Sequence, residues 1–217
     1  MHLKQRKLNY NLTDDETKEY LFYEMNNHLL LDEKPSEYFN SILNTSILKK
    51  LPFHMLYNLK NADQSPVHHP EGNAWNHTML VIDYAAKEKI KSKNEKIFMW
   101  AALLHDIGKP DTTKIRKGKI TSYDHDKVGA VLAMEFLREF VTDEQFINKV
   151  ASLVRWHMQI LHVVKELPFA DIKTMKEETD YKEVALLGYC DRLGRTNVNK
   201  EKEKQNIDTF LKKCRVF

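Results

Sequence analysis

Along most of the 217-residue chain, apolar side chains recur every three to four positions and few runs alternate apolar with polar, which is the period of helices packed on a core. Gly and Pro number six each, so the stretches between breakers are long. The pattern predicts an all-α fold. Long helices are expected over 74–90, 95–106, 124–140, 142–157 and 181–193, with a short one over 53–59. Thr13-Asp14-Asp15-Glu16 reads as an earlier helix start, Pro35-Ser36 opens a second helix, and Gly108 followed by Pro110 reads as a stop. From residue 199 a charged helix should pack down through Ile207, Phe210 and Leu211. Two interruptions stand out: a polar, turn-rich loop over 61–73, long enough to suggest a task, and Ile115 to Thr121, where a Lys-Gly turn between β-capable flanks predicts one small hairpin. Residues 1–50 are expected to form a helical extension packed on a main domain over 51–217.

Composition narrows the class of protein. At 42% apolar the chain can bury one good core, and a net charge of +3 lacks the basic excess of a nucleic-acid coat protein. The start, Met1-His2-Leu3-Lys4-Gln5-Arg6-Lys7, is followed by Asn9, Asn11, Asp14 and Asp15 where an export signal would need an apolar run. No stretch approaches the roughly 20 apolar residues of a membrane span. Cys190 and Cys214 are expected to be reduced thiols in a cytoplasmic protein.

The candidate chemistry centres on 101–110, where an apolar run delivers His105, Asp106 and Lys109 together. His77, His125, His157 and Asp191 also fall on or near apolar helical faces. Imidazole and carboxylate suit Fe, Mn, Co, Ni and Zn, and helical bundles build metal sites from single inward side chains of several helices. The tryptophans Trp75, Trp100 and Trp156 have the spacing of core residues.

The order of a His, an adjacent His-Asp and a distant Asp, filled by His77, His105, Asp106 and Asp191, resembles the HD superfamily of metal-dependent phosphohydrolases. His125 and His157 resemble its extended, two-metal version. Residues 69–78, 103–110 and 123–125 are similar to the HD region of bacterial tRNA nucleotidyltransferases, as is Cys190-Asp191-Arg192-Leu193-Gly194-Arg195. No glycine-rich nucleotidyltransferase head with paired aspartates is found, so the resemblance does not extend to CCA addition. The Glu-Asp pair of ppGpp hydrolases and the Gly-Tyr-Pro motif of cyclic-di-GMP phosphodiesterases are absent too.

The resemblance implies an HD-domain helical bundle and one or two divalent ions, Fe, Mn, Ni, Co or Zn, with Mg also open. His77, His105 and Asp191 would hold the first ion and His125 and His157 the second, with Asp106 between them. Such ions lower the pKa of the water that attacks phosphorus in line. Asp106 would also orient or deprotonate that water, and Lys109 and Arg195 would contact phosphate oxygens. Lys114 and Arg116 near the hairpin would help bind or steer a small phosphoester, a nucleotide or an RNA end. His68 and His69 are read as loop residues within reach of substrate, and His162 as lying past the helix of His157. Two other classes remain open: a non-haem di-iron oxygenase with the same ligand order, and a non-catalytic nucleotide or RNA sensor. No membrane partner is expected, and the oligomeric state stays open.

Overall fold

The computed structural model describes residues 14–216. The expected Thr13 helix start and the basic N-terminal residues lie outside them. The described chain is all-α apart from one two-stranded hairpin. Helices α1 (Asp14–Leu31) and α2 (Pro35–Ile42) come first, and α3 (His54–Tyr57) runs into a 3-10 turn. The main helices α4 (Ala74–Glu88) and α5 (Glu95–Leu104) follow, then α6 (Lys109–Thr112), β1 (Lys114–Arg116) and β2 (Lys119–Thr121). The remainder is α7 (His125–Arg138), α8 (Glu144–Trp156), α9 (Gln159–Val164), α10 (Ile172–Glu178), α11 (Tyr181–Leu193) and α12 (Lys200–Val216).

Side-chain caps start the helices where the sequence supplies them. Asn73 accepts from the Asn76 amide at 3.0 Å to open α4, and Asn94 accepts from the Ile97 amide at 3.1 Å to open α5. Asp143, Asp171 and Asp180 do the same for α8, α10 and α11. Helix α5 is the central element: every residue from Phe98 to Leu104 is buried, because α1, α4, α8 and α11 surround it. The first two helices are fastened to this core by indoles. Trp100 donates to Asn26 of α1 at 3.1 Å and Trp75 donates to Asn40 of α2 at 2.9 Å. Trp156 likewise donates to Glu178 at 2.7 Å, so each tryptophan buries its ring and satisfies its N–H.

Three boundaries differ from expectation. Helix α5 ends at Leu104, so His105 and Asp106 lie in a turn beyond it. The Gly108 to Pro110 segment, expected as a stop, instead starts α6, because proline in a first helical turn lacks only an N–H that has no partner there. Residues 158–180 contain two short helices that periodicity did not reveal; Ile160, Val163 and Met175 anchor them in the core. The hairpin forms as expected, with Ile115 opposite Ile120. Its turn places Lys117 at φ 49° and Gly118 at φ 73°, the left-handed pair of a two-residue hairpin turn. Among the described residues no helix is long and apolar enough to cross a membrane.

Candidate metal centre

The six expected ligands come from five segments and meet at one end of α5. His77 lies one turn into α4, His105 and Asp106 follow α5, and His125 opens α7. His157 follows α8, and Asp191 lies near the end of α11. All six are buried. Asp106 is at the middle: its Oδ2 is 3.2 Å from His105 Nε2 and 4.0 Å from His77 Nε2. Its Oδ1 is 3.4 Å from His125 Nε2 and 3.9 Å from His157 Nε2. One carboxylate therefore belongs to two groups of potential ligand atoms, His77 with His105 on one side and His125 with His157 on the other.

The histidines are oriented by a repeated local device. His105, His125 and His157 each place Nδ1 against the carbonyl three residues earlier, Ala102, Ser122 and Val154, at 2.8, 2.7 and 2.7 Å. A carbonyl only accepts, so each Nδ1 carries the proton and each Nε2 turns a lone pair inward. Two of those lone pairs then face each other, since His125 Nε2 and His157 Nε2 are 3.2 Å apart. His105 Nε2 is buried without a hydrogen bond, and Asp106 Oδ2 has only the Lys109 ammonium as a close charged partner. The facing lone pairs of His125 and His157 repel one another, and a divalent cation would relieve that repulsion. The donor set fits a borderline transition metal.

Charge at the centre follows from these contacts. Burial pushes the pKa values of His125 and His157 down, His157 to about 4, so both imidazoles are neutral near pH 7. Burial alone would raise the carboxyls of Asp106 and Asp191. It is outweighed at Asp106 by His105 and Lys109, and at Asp191 by Arg195 and His77, which hold both well below the usual range.

Several partners sit around the six. The Lys109 ammonium is 2.7 Å from Asp106 Oδ2 and is held by Gln64. Arg195 Nη2 is 3.6 Å from Asp191 Oδ2 and borders a cavity of about 360 Å³ together with His68. Arg116 lines a separate cleft of about 840 Å³ that reaches His125. Lys114 is exposed on β1 and lines neither. His162 lies in α9 and lines the larger cleft.

The most consequential residue missed by sequence reasoning is Glu71. Its Oε1 accepts from His77 Nδ1 at 2.9 Å and from His69 Nδ1 at 2.8 Å. His77 Nε2 in turn lies 2.9 Å from Asp191 Oδ1. Burial would lower the pKa of His77, but Asp191 and Glu71 on its two sides outweigh that and raise it. Burial would likewise raise Glu71, yet the bonds from His77 and His69 bring it down to about 2. The available signals were the length and polarity of the 61–73 loop, which supplies both Glu71 and Gln64, and the place of Glu71 within the 69–78 motif.

Comparison with known proteins identifies the family. A family model described as the HD domain matches residues 74–195. The chain is 26% identical over 175 residues to a multifunctional CCA protein of Mannheimia succiniciproducens, covering 77% of this chain and 41% of that protein. A multifunctional CCA protein of Methylobacillus flagellatus is 30% identical, with 70% and 35% covered. An A-adding tRNA nucleotidyltransferase of Deinococcus radiodurans is 36% identical over 64 residues, 29% of this chain and 15% of that protein. The chain thus spans less than half the length of these curated relatives.

Proposed function

The chain belongs to the HD domain family, and from that premise we propose that it is a metal-dependent phosphohydrolase acting on a nucleotide or RNA-terminal phosphoester. The observation that carries this reading is Asp106, whose two oxygens face two separate imidazole pairs while a lysine ammonium stands beside it. His77, His105, Asp106 and Asp191 would hold one divalent ion, and Asp106, His125 and His157 a second. Such ions polarise a phosphoryl oxygen and acidify water. In the overall reaction the water oxygen bonds to phosphorus, the ester P–O bond breaks, and the departing oxygen takes up a proton.

The chain's own groups have distinct parts in that reaction. Asp106 is a weak base, because its charged neighbours stabilise the carboxylate, so its role is to fix and orient rather than to carry a proton away. Lys109, fixed by Gln64, supplies positive charge where charge builds on phosphate oxygens. Arg195 offers a guanidinium at the Asp191 side of the centre. The partial likeness to CCA proteins and the basic Arg116 near the cleft support a nucleotide or RNA end as the substrate class.

The test is a screen of the purified chain with Mn, Ni, Co, Mg and Fe against phosphomonoesters, phosphodiesters, cyclic nucleotides and nucleoside mono- and triphosphates. Phosphate release that disappears, along with bound metal, in Asp106→Ala while helical content is kept supports the assignment. Full turnover in Asp106→Ala, or a mixed-valence iron pair that consumes oxygen without phosphoester cleavage, overturns it.

A further inference from the structure

We propose that the cleft running from His125 between the hairpin end of α7 and the 167–171 loop binds the planar base of a nucleotide whose phosphate lies at the metal centre. This rests on the phosphohydrolase reading for the position of the phosphate. The cleft has a volume of about 840 Å³, larger than a phosphate group requires, and His125 is common to it and to the metal centre. A phosphate held at the His125 side of the centre would therefore have this cleft open to its organic part.

The walls select for a flat, uncharged ring. Tyr123 and Phe169 line the cleft and stay 60% and 64% exposed, so both rings are open to a stacking partner. The Arg116 guanidinium lies 4.7 Å from the Tyr123 ring centre, and the His162 ring lies 5.7 Å from that of Phe169. The lining charges mostly cancel locally: Lys127 pairs with Asp124 at 2.9 Å, Arg155 pairs with Asp126, and Asp171 caps α10. Arg116 is stacked on a ring instead of paired with a carboxylate. A cleft of rings with balanced charge suits a base and gives no basic track for a polyanion.

The Phe169 wall is set in advance. Gln159, only 2% exposed, donates to the Phe169 carbonyl at 3.1 Å and accepts from the Asp171 amide at 2.9 Å. The backbone under the ring is thus fixed by a buried side chain, so little ordering is needed on binding.

The experiment is calorimetric titration of the full chain, with and without bound Mn, using adenosine 5′-monophosphate, ribose 5-phosphate and a short oligoadenylate. The proposal expects adenosine 5′-monophosphate to bind roughly tenfold or more tightly than ribose 5-phosphate, in line with base–aromatic stacking. That gap should shrink several-fold in Tyr123→Ala and in Phe169→Ala, exposed positions where helical content should not change. Oligoadenylate binding well above the mononucleotide identifies an RNA end as the source, and equal binding identifies a free nucleotide. Equal affinity for the two monophosphates, or a gap that survives in the double variant, overturns the proposal. Phosphate release from ribose 5-phosphate reads the phosphohydrolase assignment separately, since either result can occur without the other.

Discussion

Removing the Glu71 carboxylate should loosen the metal centre without touching any of its six expected ligands. In Glu71→Ala the Nδ1 protons of His77 and His69 lose their acceptor. The His77 side chain has no exposure and that of His69 only 13%, so solvent cannot readily replace it. Each unsatisfied buried donor costs about 1–3 kcal/mol, and a total near 3 kcal/mol allows for partial access at His69. For a chain of this size that corresponds to a fall in Tm of roughly 6–12 °C. Glu71→Gln keeps an acceptor oxygen for both rings and loses only the charge, so about 1 kcal/mol and roughly 2–4 °C are expected. Thermal unfolding followed by circular dichroism, with a chelator present, reads this term apart from any bound metal. Metal titration should then show affinity reduced about 10- to 100-fold in Glu71→Ala, the usual effect of removing a group that orients a ligand imidazole. A Glu71→Ala protein that melts within about 2 °C of wild type in chelator and binds metal equally well would refute the reasoning.

Three other outcomes follow from the same geometry. His125→Ala should lose half of the bound metal if Asp106 serves two ions, and elemental analysis per chain reads this directly; unchanged stoichiometry places His125 outside the centre. A Cβ on Gly108 would stand 2.3 Å from the His125 carbonyl oxygen and 2.6 Å from the Gly129 amide, both backbone, so Gly108→Ala should cost about 2 kcal/mol and displace His125. In Gly188→Ala the nearest obstacle is the mobile end of Ile160 and the loss should be smaller, which parallel denaturation curves will check. Cys190 and Cys214 are fully buried; burial pushes the Cys214 thiol up to about 11 and Cys190 higher still. A thiol reagent at pH 8 should therefore react with neither until the protein is unfolded, and rapid labelling of either native thiol would contradict this packing.

The long helices were legible because their apolar spacing runs over several turns, as in α4 and α5. The hairpin was legible because Lys117-Gly118 is suited to a turn with two positive φ angles. Helices α9 and α10 were not, since six or seven residues hold too little periodicity and depend on burial of Ile160, Val163 and Met175 for stability. Helix α6 was hidden for a different reason: a proline that reads as a stop is equally suited to a first turn.

By itself the sequence determined an ordered series of six ligand-type residues on apolar helical faces or just past their ends, because each helix must bury the stripe that carries or leads to its histidine or aspartate. It could not determine how those residues are held. The pairing of each Nδ1 with a carbonyl, the position of Asp106 between two imidazole pairs, and the capture of His77 by Glu71 arise only when separate helices and a loop meet. Likewise Tyr123 and Phe169 are 46 positions apart in the chain, and only packing of α7, α8 and α9 makes them line one cleft beside His125. Local periodicity records which side of a helix faces inward; what it meets there is set by the other elements, through contacts between residues far apart in sequence.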